Sequence, residues 1–161
     1  MLEQITIREI QPQDNQQVER LIKNILLQLD APKEGTAYAD ASLTTMYETY
    51  QKAGSMYFVA TYKNTVVAGA GIAPLVGKEH YCELQKMYVA ADYRKQGIAN
   101  NLIRECIDAA KQMGFLAMYL ETLPIMKTAQ IFYKKHGFTY LTEPLGNTGH
   151  HSCSVRMLKN I

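Results

Sequence analysis

The sequence lacks the features that mark several broad classes of protein. Its 17 basic residues face 15 acidic ones, and the resulting net charge of +2 disfavours a dedicated nucleic-acid binder. No apolar stretch reaches the roughly 18 residues that a membrane helix requires, so no membrane partner is expected. Met1–Thr6 has neither a basic start nor an apolar core, which predicts no secretory signal. The three cysteines, Cys82, Cys106 and Cys153, are too few and too scattered for a disulfide framework. These absences predict a cytoplasmic protein with reduced thiols.

Enough apolar sequence is present to form a packed core. Of the 161 residues, 47% are hydrophobic and 20% are charged, and both values are close to the averages for globular domains. No internal repeat, low-complexity tract or linker interrupts the chain. Length and composition together predict one domain that covers residues 1–161.

Hydrophobic periodicity predicts alternating strands and helices in the order β-α-α-β-β-β-α-β-α-β-β. Strand patterns cover residues 5–10, 56–62, 65–72, 80–89, 115–121, 138–141 and 153–158. Helical patterns cover residues 14–29, about 39–52, 98–113 and 124–136, and the third helix is expected to bury a stripe that ends at Met113. The strand–helix–strand unit from 80–89 to 115–121 requires a parallel pair, whereas the hairpins require antiparallel pairs. The prediction is an α/β fold with a mixed sheet flanked by helices.

The strand at 80–89 does not keep its two faces separate. Lys86 shares one face with the apolar side chains of Leu84 and Tyr88, and Glu83 shares the other face with Met87. An alternation that fails in this way predicts a β-bulge, and bulges are common beside active sites.

The segment Arg94–Asn100 joins this strand to the next helix. The first N–H groups of a helix have no partners within the helix and lie at the positive end of its dipole. Gly97 lets a ligand approach the backbone, and Arg94 and Lys95 add positive charge. The pattern predicts a site for phosphate or pyrophosphate. The alternative is an ordinary loop with solvated basic residues, because one glycine is a weak signal.

Other ligand motifs are incomplete. Gly69–Pro74 begins like a dinucleotide fingerprint, but it ends in proline and lies inside a predicted hairpin strand. Gly77–Glu79 lacks the serine or threonine of a P-loop. The pairs His80 with Cys82 and His151 with Cys153 lack the usual zinc spacings, so no metal is expected.

Two segments resemble the hallmarks of the GNAT superfamily of N-acetyltransferases. Arg94-x-x-Gly97-x-Ala99 matches the acyl-CoA loop Gln/Arg-x-x-Gly-x-Gly/Ala of that family. Ala129–Phe138 resembles its second hallmark, A-x-x-L-Y-x-K-x-G-F, with Phe132 in place of leucine. The predicted order of elements is also the one that the family uses. The resemblance covers essentially the whole chain and is strongest from Glu83 to Phe138.

The resemblance implies a GNAT-like, mostly antiparallel twisted sheet with one parallel pair. It also implies acetyl transfer from acetyl-CoA, as co-substrate, to a primary amine on a small molecule or peptide. Direct transfer in a ternary complex and a possible homodimer are further expectations. Met126 is a departure, because many members carry a CoA-binding asparagine there. The expected coenzyme-binding residues are Met87, Tyr88, Val89, Arg94, Lys95, Gln96, Gly97, Ile98, Ala99, Asn100, Phe132 and Lys135.

The transfer chemistry requires a base, because an amine is protonated at neutral pH and must lose a proton before it attacks. Glu83 is the candidate base, since many family members carry an acidic residue at this strand position. Burial beside Tyr81 and Met87 would raise its pKa; the alternative is a surface glutamate balanced by Lys86. Tyr133 is the candidate acid for the departing thiolate, or else a packed tyrosine on a helix face.

Two questions stay open at the level of sequence. The polar segment Gly146–His151 is either a flexible hairpin loop or part of the acceptor site. The alternative to an enzyme is a non-catalytic module that senses acyl-CoA or binds protein on the same fold.

Overall fold

A computed structural model describes residues 4–161 of the chain. The strands are β1 Ile5–Glu9, β2 Met56–Tyr62, β3 Thr65–Pro74, β4 Tyr81–Val89, β5 Ala117–Thr122, β6 Thr139–Leu141 and β7 Val155–Asn160. The α-helices are α1 Asn15–Gln28, α2 Met46–Thr49, α3 Ile98–Gln112 and α4 Lys127–Lys135. Short 3-10 turns occupy Pro12–Asp14, Ala37–Ala39, Ala41–Thr44 and Ala91–Tyr93.

All seven strands of the described chain form one mixed sheet in the order β1-β2-β3-β4-β5-β7-β6. Within residues 4–161, β4 and β5 are the parallel pair, and every other neighbouring pair is antiparallel. The predicted mixed fold with a parallel β4–β5 pair is confirmed. None of the helices between residues 4 and 161 has the length and apolar character needed to cross a membrane.

Each face of the sheet carries its own hydrophobic core. Leu102 and Cys106 of α3 pack with Phe138 on one face, and all three side chains are almost fully buried. Ile22 of α1 and Met46 of α2 are buried in the core on the other face. Both long helices present an apolar stripe at helical spacing, which is what a helix on one face of a sheet requires.

Three of the predicted helix boundaries are wrong. The segment 39–52 is not one helix, because Asp40 is extended between two 3-10 turns and only the four residues of α2 are α-helical. Met113 is exposed rather than inward, since α3 ends at Gln112 and Gly114 turns the chain away at φ +86°. Helix α4 begins at Lys127, three residues after Pro124.

A bulge in β4 exchanges the two faces of the strand, as the irregular alternation predicts. Gly69 pairs with Tyr88 and Gly71 pairs with Gln85, so a step of two residues along β3 corresponds to three along β4. Lys86, inside this step, adopts φ +49°. Leu84 before the bulge and Met87 after it therefore reach the same core under α3. Tyr88 packs on the opposite face, toward α1 and α2.

Tyr57, which lies on β2, fixes this bulge from across β3. Its hydroxyl donates to the backbone oxygen of Lys86 at 2.7 Å. Its ring lies against two glycines of β3: a Cβ on Gly69 would come within 2.6 Å of the Tyr57 hydroxyl oxygen, and one on Gly71 within 2.4 Å of Cδ2. These glycines make space for the ring, which gives the Gly69–Pro74 segment a packing role.

The three thiols are unpaired. Cys82 and Cys106 are fully buried, and Cys153 is half-buried. Burial raises the pKa of Cys82 and that of Cys153 to about 12. In the part of the chain that is described, no group of three His, Cys, Asp or Glu side chains is placed to hold a metal ion.

Candidate active site

The sheet opens into a wedge between β4 and β5. The two strands pair only from Tyr81 to Glu83, opposite residues 117–119. Beyond Glu83, β4 keeps its pairing with β3, and the rest of β5 pairs with β7. The backbone of Met87–Val89 therefore has an edge without a strand partner in the described structure. Backbone N–H and C=O groups at such an edge need hydrogen-bond partners, which an extended ligand can supply.

The wedge leads directly into the basic turn. Arg94 donates from Nε to the backbone oxygen of Val89 at 2.9 Å, which closes the turn on the end of β4. Lys95 and Gly97 both have left-handed φ values, +61° and +83°. Gly97 is the N-cap of α3 and provides no side chain to cap the helix. The first N–H groups of α3, on Ile98, Ala99 and Asn100, are therefore uncapped at the positive end of a 15-residue helix.

Gln96 lies in the same turn, half-buried. Its amide nitrogen donates to the backbone oxygen of Asp92 at 3.2 Å. Its amide oxygen is buried without a hydrogen-bond partner among residues 4–161. The turn thus contains an unused acceptor beside the uncapped amides.

The C-terminal end of α4 lies against the start of α3. Nε2 of His136 is 2.9 Å from Oδ1 of Asn100, and the rings of His136 and Phe132 are 4.5 Å apart between centroids. Burial, together with the charges of Lys159 and Arg104, lowers the pKa of His136 and favours its neutral form. Lys135 is exposed on the same helix. The structure therefore brings most of the predicted coenzyme residues to one edge of the sheet.

Tyr133 lies on α4 and is buried between two aromatic rings. Its ring meets Phe132 and Phe138 edge-on, with centroids 5.6 Å and 5.8 Å apart. Burial raises the pKa of Tyr133 well above the ordinary value of a phenol. Its hydroxyl makes no hydrogen bond to another residue of the described chain, and its raised pKa keeps it protonated at neutral pH.

Glu83 is a buried carboxyl at the point where β4 and β5 separate. It is 6% exposed, so the interpretation as a surface glutamate is wrong. Burial raises the pKa of Glu83, while the hydrogen bond from Gln85 and the charge of His150 act in the opposite direction. The expected neighbour Met87 packs on the other face because of the bulge, so it does not bury Glu83. Lys86 is paired with Asp40 instead.

Asp40 joins three separate segments near Glu83. Its carboxylate forms a salt bridge with Lys86, whose Nζ lies 3.1 Å from Oδ2, and both carboxylate oxygens lie 2.9 Å from Nε2 of His150. The Lys86 side chain is only 7% exposed. The hydrogen bond to Asp40 raises the pKa of His150 and favours its charged form. The 37–44 segment, the bulge and the loop before β7 are thereby tied together.

Gly146–His151 lies in the connection between the antiparallel strands β6 and β7, as the hairpin interpretation predicts, and side-chain contacts join it to other parts of the fold. Thr148 donates to Glu121 on β5, and the N–H of Leu145, just before the loop, donates to the Tyr119 hydroxyl at 3.3 Å. His150 is held by Asp40. Sequence reasoning missed Asp40 and His150 as partners, because 110 residues separate them and neither lies in a recognisable motif.

Known proteins support one family assignment by sequence. Residues 23–138 match the Acetyltransferase (GNAT) family. YjgM of Escherichia coli K12, an uncharacterized N-acetyltransferase, is 40% identical over 158 residues, which are 96% of this chain and 94% of that protein. Human N-acetyltransferase 8 is 30% identical over 116 residues, covering 67% of this chain and 51% of that protein.

Solved structures share the fold at low identity. A GNAT-family acetyltransferase from Staphylococcus aureus Mu50 has a TM-score of 0.88 at 20% identity, with 97% of this chain and 98% of that chain covered. PaiA N-acetyltransferase from Thermoplasma acidophilum has a TM-score of 0.73 at 16% identity, with 98% and 99% covered. Sequence and fold agree: the chain belongs to the GNAT family of acetyltransferases and is an acyltransferase.

Proposed function

We propose that this acyltransferase moves an acetyl group from acetyl-CoA to a primary amine by direct transfer within a ternary complex. The observation that carries the proposal is the wedge between β4 and β5, together with the basic turn and the uncapped start of α3 that follow β4 along the chain. The PaiA structure and that of an aminoglycoside 6'-N-acetyltransferase were both solved with coenzyme A. The unpaired thiols support a cytoplasmic location.

The coenzyme would lie along the wedge with its pyrophosphate on the amides of Ile98–Asn100. A helix start favours an anion, and Arg94 and Lys95 add charge there. The pantetheine arm would pair with the open edge of Met87–Val89 as an additional strand. Phe132 and Lys135 on α4 would contact the nucleotide end. These residues would together hold the coenzyme for direct transfer to the acceptor amine.

The acceptor amine would meet the thioester beside Glu83. Glu83 takes a proton from the ammonium group, directly or through water, and the amine nitrogen then attacks the thioester carbon. Backbone N–H groups near Met87–Val89 would stabilise the negative charge on the carbonyl oxygen. The carbon–sulfur bond breaks, and Tyr133 gives its proton to the departing thiolate. The nitrogen loses its second proton as the amide forms, and that proton returns to the Tyr133 phenolate, directly or through water. Holding the two substrates together supplies much of the acceleration.

The variant Tyr133→Phe tests the acid. We expect kcat to fall by about 10- to 100-fold, less than for a strong general acid, because a thiol with a pKa of about 8.5 is already a fair leaving group. The affinity for CoA, measured by calorimetry, should stay within about twofold, since the ring and its packing remain. An unchanged kcat would remove Tyr133 from the mechanism.

The overall function is tested with purified protein, acetyl-CoA and a panel of amines. The panel contains a polyamine, an aminoglycoside, an amino acid and a lysine-containing peptide, and the readouts are released CoA thiol and the mass of the product. We expect at least one amine to give an acetylated product. Tight CoA binding without release for any amine would favour a non-catalytic sensor, and an absence of CoA binding would contradict the proposal altogether.

A further inference from the structure

We propose that Gln85 and Tyr50 are positioning residues that hold the carboxylate of Glu83 in one orientation for proton transfer. This inference rests on the proposed function, because it assumes that Glu83 is the base. Neither residue belongs to the motifs that the family resemblance provides.

The two residues form a chain of short hydrogen bonds that ends at the base. Gln85 donates from Nε2 to Oε1 of Glu83 at 2.6 Å, and the Tyr50 hydroxyl lies 2.6 Å from Oε1 of Gln85. The direction of each bond follows from the chemistry of the groups. An ionised carboxylate can only accept, so the amide must present its NH₂ group to Glu83. The amide oxygen then faces Tyr50, whose hydroxyl must donate.

The far end of this chain is fixed by packing. Tyr50 is 3% exposed in the core under α1 and α2, and its ring lies 5.1 Å from that of Tyr57. Tyr57 in turn binds the backbone of the bulge at Lys86. The Tyr50 hydroxyl therefore has a fixed position relative to β4, and hydrogen bonds in such a water-poor setting are strong.

Gln85 is also the one direct hydrogen-bond donor to Glu83 among residues 4–161. The other influences on the pKa of Glu83 are burial, which raises it most, and the charges of surrounding groups. Lys86 and His150 favour the charged form, but each is already bound to Asp40, and Glu121 on β5 opposes it. The titratable groups that interact electrostatically with Glu83 are Lys86, Tyr50, Cys82, Glu121, His150 and Cys153.

The variants Gln85→Leu and Tyr50→Phe separate positioning from packing. Each removes hydrogen-bonding groups while keeping an apolar body of similar shape. Gln85→Leu removes the hydrogen bond that favours the charged carboxylate of Glu83, which is expected to raise the pKa of Glu83 by about one unit. In Tyr50→Phe the amide is free to rotate, and we expect about half a unit. Carbon-13 NMR titration of the glutamate carboxyls, assigned with Glu83→Gln, reads this pKa without any need for activity.

The pH profile of kcat/KM should show the same shift. Because the hydrogen bond favours the charged base, its loss moves the acidic limb to higher pH. On the acidic limb, where the pH is below the pKa of Glu83 in both proteins, kcat/KM of Gln85→Leu should be about tenfold lower than that of the unmodified protein. The plateau at high pH should change by less than about threefold. The control is Tyr140→Phe, because exposed Tyr140 also donates to a glutamine, Gln130, at 2.9 Å. Tyr140→Phe should change neither the pKa of Glu83 nor the acidic limb of the pH profile.

A lowered plateau with an unchanged NMR pKa in both variants would show a merely structural role and overturn the inference. If Gln85→Leu does not fold, Tyr50→Phe, which keeps the packed ring, carries the test alone. A different failure belongs to the proposed function. If NMR shows the expected shift but the acidic limb persists in Glu83→Gln, then Gln85 and Tyr50 do act on Glu83, and Glu83 is not the base.

Discussion

Replacing Gly97 with valine is expected to weaken CoA binding by about 100-fold or more, as measured by calorimetry. Gly97 adopts φ +83°, a conformation that a β-branched residue strongly resists. The added side chain would also stand beside the uncapped amides that receive the pyrophosphate. Hydrogen bonds to a charged ligand are worth about 1.5–3 kcal/mol each, and the loss of one or two accounts for a change of this size.

Gly114→Val provides the matched control at the other end of the same helix. Gly114 has a nearly identical φ of +86°, and no atom lies within 4 Å of the position of its Cβ. Both variants should lose stability to left-handed strain, by about 1–2 kcal/mol in urea unfolding. Only Gly97→Val should lose affinity for CoA. Equal affinities in the two variants would show that the pyrophosphate binds elsewhere.

Glu83→Gln is expected to lower kcat by about 100- to 10,000-fold and to abolish the acidic limb of the pH–rate profile. The side chain keeps its size, so CoA affinity should be unchanged. A second effect concerns stability. Because burial raises the folded-state pKa of Glu83 above its unfolded value, the folded protein loses stability as pH rises between the two values. Glutamine removes that loss, so the free energy of unfolding at neutral pH should not decrease.

Glu121→Gln distinguishes Glu83 from the nearest acidic neighbour on β5. The charge of Glu121 raises the pKa of Glu83, so its removal should shift the acidic limb to lower pH without abolishing it. If the limb disappears in Glu121→Gln and survives in Glu83→Gln, the base has been assigned to the wrong carboxylate. If it survives in both, a water chain or another group takes the proton.

Local signals were sufficient to predict the frame of the site. Strand and helix periodicities determine the order of elements, and the helix between β4 and β5 requires a parallel pair. The misplaced Lys86 in β4 predicted the bulge, because an extra residue in a strand exchanges its faces and leaves that trace in the sequence. The basic turn and Gly97 could be predicted because a glycine just before a helix start is specified by only a few neighbouring residues.

Partners distant in the sequence could not be predicted in this way. Apolar residues in 39–52 do recur at helical spacing. However, Asp40 is extended and binds Lys86 and His150, so tertiary contacts override helix propensity in this segment. The roles of Gln85 and Tyr50 also depend on a contact across 35 residues. No sequence pattern in either segment predicts this contact, which forms only in the folded chain.

The buried cysteines have a practical consequence for measuring turnover. A thiol reagent detects the thiolate, and burial raises the pKa of Cys153 to about 12, so very little of this thiol is ionised at pH 8. Cys82 and Cys106 are also shielded from contact with solvent. A colorimetric disulfide dye can therefore follow the reaction continuously in the presence of the enzyme, with little background signal from the protein and little inactivation by the dye.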